Sequence, residues 1–382
     1  MSGRHFVLAA GGTGGHMMPA HALAGELIRR GHRVSLITDA RGAKIPGLFE
    51  GADTHILPAG RITKNPLSWL PGARAILGGR AQARKLFEAV QPAAVIGFGG
   101  YPAFPALLAA RAMGVKAAVH EQNAVLGRVN RMVARFVDAI AVAYPKMKRL
   151  PGRYQGKTHL VGNPVRDEVL ALRDQPYPAL GAHEQLRILV IGGSQGATIL
   201  STVVPDGLAR LSIPAARLHV TQQCRAEDID QVRARYSDLG IRADLATYFE
   251  NIPDLLARAH LVIGRAGAST IAELTCAGRP AILIPLPSAT DDHQSANVQE
   301  IVEVGGACAI AQSNFTPEQL ASEVDQIGLN EERLMDAAGR ARGIGRPNAT
   351  RDLADLVEAL DRPAAPHMVG VAQEFKLAGA GA

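Results

Sequence analysis

Two stretches of this chain share one plan. Phe6-Val-Leu-Ala-Ala-Gly-Gly-Thr-Gly-Gly-His16 and Ile188-Leu-Val-Ile-Gly-Gly-Ser-Gln-Gly-Ala197 each run from a short apolar strand into a glycine-rich turn that starts a helix. Such a unit opens a parallel sheet with helices on both faces. Its recurrence at mid-chain predicts two α/β domains rather than one. A length of 382 residues suits that division, and 47% hydrophobic with 20% charged residues excludes a disordered chain.

Apolar runs alternate with helix-length segments almost throughout. The first half predicts strands at 5–10, 33–38, 54–57, 94–97, 117–120 and 139–142, with helices such as 19–30, opened by Pro19, and 71–90. A turn-rich stretch, 163–185, carries no apolar run and suggests a hinge near 162–174. The alternation then resumes, with strands at 187–191, 217–221, 260–264, 281–285 and 307–310 and helices at 197–211, 269–277 and 293–304. Two open sheets predict a ligand cleft between their carboxyl ends. The Ala-, Gly- and Pro-rich tail beyond Arg362 reads as poorly ordered.

The glycine turns carry the first chemical expectation. Gly11-Gly-Thr-Gly-Gly-His16 lets backbone N–H groups close on an anion, and the helix start adds its positive dipole, so a phosphate or pyrophosphate belongs there. A dinucleotide fingerprint fails, because G-x-G-x-x-G needs Gly at position 17, where Met17 stands. Asp39 then reads as strand-end punctuation rather than a ribose acid. No Lys-Ser/Thr pair follows the turn, so an ATP-type loop fails too. Gly192–Ala197, with Ser194, is a second anion loop, and Gly97-Phe-Gly-Gly-Tyr-Pro102 is a third. Three such loops imply more than one phosphorylated component.

Polar clusters follow other strands. His120-Glu121-Gln122-Asn123 sets four polar side chains at a strand end, which suits a hydroxyl-rich ligand. In Gly264–Glu273, Ser269 and Thr270 can cap a helix or bind phosphate. Glu273 there either offsets the helix dipole or accepts ribose hydroxyls. Asp291-Asp-His-Gln-Ser-Ala-Asn297 has no second ligand cluster at metal spacing, so sugar hydroxyls are the expected partner and no metal is expected. Arg166 sits at the hinge, where a guanidinium reaches a ligand between domains.

The net charge of +6 is uneven. Residues 61–87 and 128–166 together carry +14, leaving −8 for the rest of the chain. Within the first stretch, Trp69, Leu70, Ile76 and Leu77 lie among Arg74 and Arg80. Apolar side chains among cations form either a core edge or a surface for anionic lipid headgroups. Aromatics are not interleaved with these cations, which argues against nucleic acid. Three cysteines far apart, at 224, 276 and 308, exclude a disulfide framework and suit a reducing cytoplasm. No stretch reads as a signal peptide or reaches the roughly 20 apolar residues of a membrane span.

Seven motifs in this order resemble one family: GGTGGH at 11–16, GFGGYP at 97–102, HEQN at 120–123, GNPVR at 162–166, GGSQGA at 192–197, GAST..E at 267–273 and DDHQSAN at 291–297. Together, from Gly11 to about Thr350, they resemble the MurG family within glycosyltransferase family 28. The resemblance implies an α/β GT-B fold, two Rossmann-like doubly wound domains facing a central cleft. Residues 1–162, with a helix returning at about 347–362, would form the acceptor and membrane-facing domain. Residues 163–346 would bind the donor, and 363–382 would be a tail. The implied reaction is inverting transfer of N-acetylglucosamine (GlcNAc) from UDP-GlcNAc to the 4-hydroxyl of MurNAc in undecaprenyl-pyrophosphoryl-MurNAc-pentapeptide. That step converts lipid I to lipid II in peptidoglycan synthesis, at the cytoplasmic face of the inner membrane.

The resemblance also distributes roles. Thr13, Gly14, Gly15, Asn123, Arg166, Ser194, Gln195, Ala268, Ser269, Thr270, Glu273 and Gln294 would hold UDP-GlcNAc. Gly11, Gly12, Gly99, Gly100 and Tyr101 would take the acceptor pyrophosphate. His16 is the first candidate for the general base, with Glu121 and His120 as alternatives. No cofactor is expected, since N–H groups, a helix start and Arg166 can stabilise the leaving pyrophosphate.

Overall fold

The computed structural model describes residues 3–11, 14–44, 49–58, 60, 69–181, 184–193, 196–327, 329 and 331–361, without the side chain of Trp69. The first sheet contains β1 (His5–Ala9), β2 (Arg33–Thr38), β3 (Asp53–Ile56), β4 (Ala94–Gly97), β5 (Lys116–Glu121), β6 (Ala139–Val142) and β7 (Thr158–Leu160). Its order is β3-β2-β1-β4-β5-β6-β7, and each adjacent pair is parallel. The second contains β8 (Leu186–Ile191), β9 (Leu218–Gln223), β10 (Arg242–Ala246), β11 (Leu261–Arg265), β12 (Ala281–Ile284) and β13 (Ala307–Ala309). It runs β10-β9-β8-β11-β12-β13, again all parallel. Two parallel sheets with alternating helices, each reversing direction at its first strand, make the GT-B architecture.

Each sheet is covered on both faces. In the first, Val7, Val95, Val119 and Ile140 face one apolar cluster with Phe87 and Leu107, while Phe6, Leu8 and Ile96 face another with Leu23 and Leu27. The alternation follows from the strand period of two, and central strands buried on both faces read as continuous apolar runs. The second face also includes Leu353, Ala354 and Val357 of the helix Ala349–Leu360. This last helix thus lies against the first sheet's helix Gly14–Arg29, where Arg30 pairs with Asp355 at 2.6 Å and Glu358 at 3.3 Å.

Three departures from the expected elements have plain causes. β7 and β10 were not anticipated. Both are short edge strands whose residues, Thr158-His-Leu and Arg242-Ala-Asp-Leu-Ala, lack an apolar run because one side faces outward. Pro19 does not open its helix; the helix starts at Gly14 and carries Pro19 inside, with one backbone bond forgone near the start. The helix expected over 293–304 is two, His293–Asn297 and Gln299–Glu303, meeting at Val298.

Candidate functional site

In an open parallel sheet, ligands bind where neighbouring strands lead their helices to opposite faces. Here those points are β1/β4 in one body and β8/β11 in the other. The three glycine loops picked out by sequence and the polar segment 264–273 follow the carboxyl ends of these four strands: 11–16 and 97–102 in the first body, 192–197 and 264–273 in the second.

In the first body the two loops touch. A Cβ on Gly100 would lie 2.8 Å from the Gly11 carbonyl oxygen, and one on Gly11 2.6 Å from Pro102 Cγ. Gly99 and Gly100 also sit at φ +86° and +75°, so the 97–102 loop needs glycine on both counts. Against them lies His16. Its Nδ1 bonds the Gly11 carbonyl at 3.2 Å, which fixes the proton on Nδ1 and leaves Nε2 with its lone pair. Nε2 would stand 3.2 Å from a Cβ on Gly99. Burial lowers the His16 pKa, with the Gly11 bond opposing, so the ring is neutral near pH 7.

His16 opens onto a cavity of about 560 Å³ lined by Gly99, Tyr101, Phe104, Glu121, Asn123, Arg128 and Met132 on one side and Thr290, Asp291 and His293 on the other. Glu121 is fully occupied at its edge. It accepts from the N–H groups of Asn123 (3.1 Å) and Gly127 (2.7 Å) and from Asn130 Nδ2 (2.9 Å). Burial pushes its carboxyl up and these donors pull it down, with burial prevailing. His120 is farther from a role in catalysis. It is fully buried, its Nε2 bonds the Gly162 carbonyl (2.9 Å) and its Nδ1 meets Gln122 Nε2 (3.0 Å). Burial drives its pKa to about 4, and no ring nitrogen remains for a substrate. The two alternatives to His16 are therefore struts of the 120–130 loop in this structure.

On the second body, Arg166 donates through Nε (3.0 Å) and Nη2 (2.8 Å) to Glu273 Oε1. Burial raises the Glu273 carboxyl and Arg166 pulls it down, with burial prevailing. Beside this pair opens a cavity of about 420 Å³ that also takes in Ser269, Met18, His21 and Thr350. The Ser269 Oγ is buried without a partner among the described residues, so it caps no helix N–H in this structure. Thr270 and Ala268 stand on the same first turn of the helix Ala268–Ala277. Gln294 uses its amide oxygen to hold the Leu286 N–H at 2.9 Å.

A buried asparagine helps join the two bodies. Asn297 is completely buried, its Oδ1 accepts from the Ala124 N–H (2.8 Å), and its Nδ2 donates to Asn123 Oδ1 (3.1 Å) and the Ala266 carbonyl (3.2 Å). It ties the 123–124 segment to the Ala266 turn that leads into the helix carrying Ser269. Sequence reasoning gave Asn297 no role, although its place three residues after Gln294 puts both on one helix face. Gly127 and Asn130, which hold Glu121, were also missed; nothing local in the sequence marks them.

Two domain models of one family match this chain. The glycosyltransferase family 28 N-terminal domain matches residues 6–142 and the glycosyltransferase family 28 C-terminal domain residues 187–357. The chain belongs to glycosyltransferase family 28. Within it, curated relatives from Novosphingobium aromaticivorans (60% identical, 93% of this chain and 92% of that protein) and Zymomonas mobilis (56%, 93% and 92%) are both named UDP-N-acetylglucosamine–N-acetylmuramyl-(pentapeptide) pyrophosphoryl-undecaprenol N-acetylglucosamine transferase. The crystal structure of Acinetobacter baumannii MurG superposes with a TM-score of 0.74 at 30% identity, over 93% of this chain and 99% of that one. A UDP-GlcNAc 2-epimerase from Neisseria meningitidis shares the fold alone, with a TM-score of 0.65 at 13% identity.

For this family 28 chain, several residues anticipated at the site lie outside the described residues: Gly12, Thr13, Ser194 and Gln195. The structure brings together His16, Gly99, Gly100, Tyr101, Glu121 and Asn123 around one cavity, with Gly11 behind His16 and Gly100, and Arg166, Ser269 and Glu273 around the other. The residues read as a membrane surface divide. Leu70 and Leu77 are 79% and 61% exposed on the helix Trp69–Val90 and Arg74 is exposed, whereas Ile76 is half-buried and lines the larger cavity. Arg80 is half-buried as well.

Proposed function

We propose that this chain transfers GlcNAc from UDP-GlcNAc to the MurNAc 4-hydroxyl of undecaprenyl-pyrophosphoryl-MurNAc-pentapeptide, with inversion at the anomeric carbon. The observation that carries the mechanism is the neutral His16, with Nδ1 tied to Gly11 and Nε2 turned to a large cavity where the glycine loops of the first sheet meet. The MurNAc oxygen attacks the anomeric carbon and its proton passes to Nε2. The bond from that carbon to the β-phosphate oxygen breaks, and UDP leaves with the electron pair.

The first body, through 162 and with the returning helix, takes the acceptor, whose pyrophosphate rests on the N–H groups of the Gly11 and Gly99–Gly100 turns. Residues 163–346 hold the donor. Glu273 accepts the ribose hydroxyls and releases Arg166 toward the pyrophosphate, where a guanidinium offsets the charge of the leaving group. Ser269 and Thr270 add hydroxyl donors, with Ser194 and Gln195 of the GGSQGA motif as further polar contacts. Asn123 and the Gly14–Gly15 helix start reach the donor from across the cleft, and Gln294 meets the sugar.

The chain works as a peripheral protein on an anionic, cytoplasmic membrane face. Supporting this, the exposed Leu70 and Leu77 stand beside Arg74 in a half of the molecule rich in cations. No helix among the described residues is long and apolar enough to cross a membrane. The decisive assay incubates the protein with UDP-GlcNAc and a lipid I analogue. A β-linked disaccharide-lipid product is expected, and no product, or a 2-epimerised sugar in its place, refutes the reading.

A further inference from the structure

The segment 286–297 of the second body reaches the first at two points. Asn297 makes one of them. The other is Asp291, which lines the larger cavity together with Thr290 and His293, opposite His16 and Gly99. Its Oδ2 accepts from both terminal nitrogens of Arg131, each at 3.0 Å, and its Oδ1 meets Arg149 Nη1 at 2.7 Å. Both arginines belong to the first body. Arg131 stands on the helix Arg128–Val133 and is itself anchored, through Nη1, on the Leu126 carbonyl at 2.7 Å.

The turn that presents Asp291 is strained. Asp291 and Asp292 hold φ of +58° and +53°, consecutive left-handed positions with no glycine between them. Aspartate tolerates that region better than most residues, but two in a row persist only where surroundings enforce them. The enforcing contacts here are the two ion pairs across the cleft. Burial pushes the Asp291 carboxyl up, yet the arginines outweigh it and hold it below the usual carboxylate range. With both oxygens engaged and the side chain only 14% exposed, Asp291 has little left to offer a ligand directly. What it fixes is the position of its neighbours.

We propose that Asp291 is a positioning residue for the acceptor: clamped by Arg131 and Arg149, it sets the 290–293 turn as the second wall of the cavity that presents the acceptor hydroxyl to His16. The wall is built by one body and held by the other. Acceptor affinity therefore depends on the two bodies being latched, while of the donor contacts Arg166, Ser269 and Glu273 line the other cavity, with Asn123 on this one and Gln294 next to His293. The inference rests on reading this cavity as the acceptor's.

Two-substrate kinetics with UDP-GlcNAc and a lipid I analogue test it. Asp291→Asn keeps the shape and tolerates the backbone but removes the charge. It should raise the acceptor KM about tenfold, the scale of a lost charged hydrogen bond, with kcat and donor KM within about twofold. Arg131→Gln/Arg149→Gln should reproduce that split, and Arg131→Lys should restore most of the loss. Asp292→Gly, which relieves strain but leaves both ion pairs, should match wild type. Melting temperatures of all variants separate weakened folding from weakened positioning. An unchanged acceptor KM in Asp291→Asn overturns the proposal, as does a parallel rise in donor KM. So does a double arginine variant with wild-type kinetics, which would mean that Asp291 touches the acceptor itself. Wild-type protein inactive on the lipid I analogue would instead refute the acceptor reading, and this inference with it.

Discussion

The two switch points of this molecule share a topology and differ in the side chains placed around their glycines. At β1/β4 the loops pack against each other and against a neutral histidine, and the space beyond is about 560 Å³ with Phe104, Ile76 and Met132 on its walls. Beside the β11 exit an arginine and a half-buried glutamate face each other near an unpartnered serine hydroxyl, around about 420 Å³ shared with the helix Gly14–Arg29. On the proposed function, the first site moves a proton beside a bulky, partly apolar ligand and the second binds hydroxyls and phosphate. Strand order alone distinguishes neither, which is why family and function have to be read from the side chains that leave the strands.

Substitutions should break this comparison in a graded way. His16→Ala removes the base from the acceptor side only, so kcat should fall by about 10²–10⁴ while UDP-GlcNAc affinity measured by calorimetry stays near wild type. A loss confined to donor affinity would reverse the assignment of the two cavities. Glu273→Ala strikes the opposite side. It should raise the donor KM by about 10–100-fold, the scale of hydrogen bonds to a charged group, with the acceptor KM little changed. Equal rises in both would mean that the Arg166–Glu273 pair holds the bodies together rather than binding the donor.

A smaller effect is expected at the surface. Leu70→Asp/Leu77→Asp should weaken binding to anionic vesicles by several-fold, about 1 kcal/mol per apolar side chain or charge, without affecting turnover on a water-soluble acceptor. Vesicle binding unaltered by the pair would remove this helix from the membrane-facing surface. The smallest effect is a shift in pH dependence. Burial lowers the His16 pKa, so the ring is an active base above that value and is lost as pH falls through it. The acidic limb of kcat/KM should therefore lie below the ordinary histidine value of 6.5, and a limb above it would point to another group.

Much of this was legible in the residues. The strands over 33–38, 94–97 and 139–142 match their expected bounds, because central parallel strands are continuous apolar runs and their glycine punctuation is sharp. The edge strands β7 and β10 carry no such run. The site motifs were visible for the same reason as the central strands: each sits where a strand ends in glycine or polar residues. What could not be read is which polar atoms are already spent. His120 and Glu121 look alike in sequence beside His16 as candidate bases, and only packing reveals that Gly162, Gln122, Gly127 and Asn130 consume them. Asn297 and the Asp291 clamp depend on partners more than 140 residues away, Asn123 with Ala124 in one case and Arg131 with Arg149 in the other, which no local pattern announces.

The division of labour between the two switch points is tested most directly by a crystal structure of this protein with UDP-GlcNAc bound. The uridine should lie in the second body with its ribose on Glu273, Arg166 turned toward the pyrophosphate, and the GlcNAc anomeric carbon facing the cavity in front of His16 Nε2. Uridine seated instead on the Gly11–Gly15 turn of the first body would contradict it.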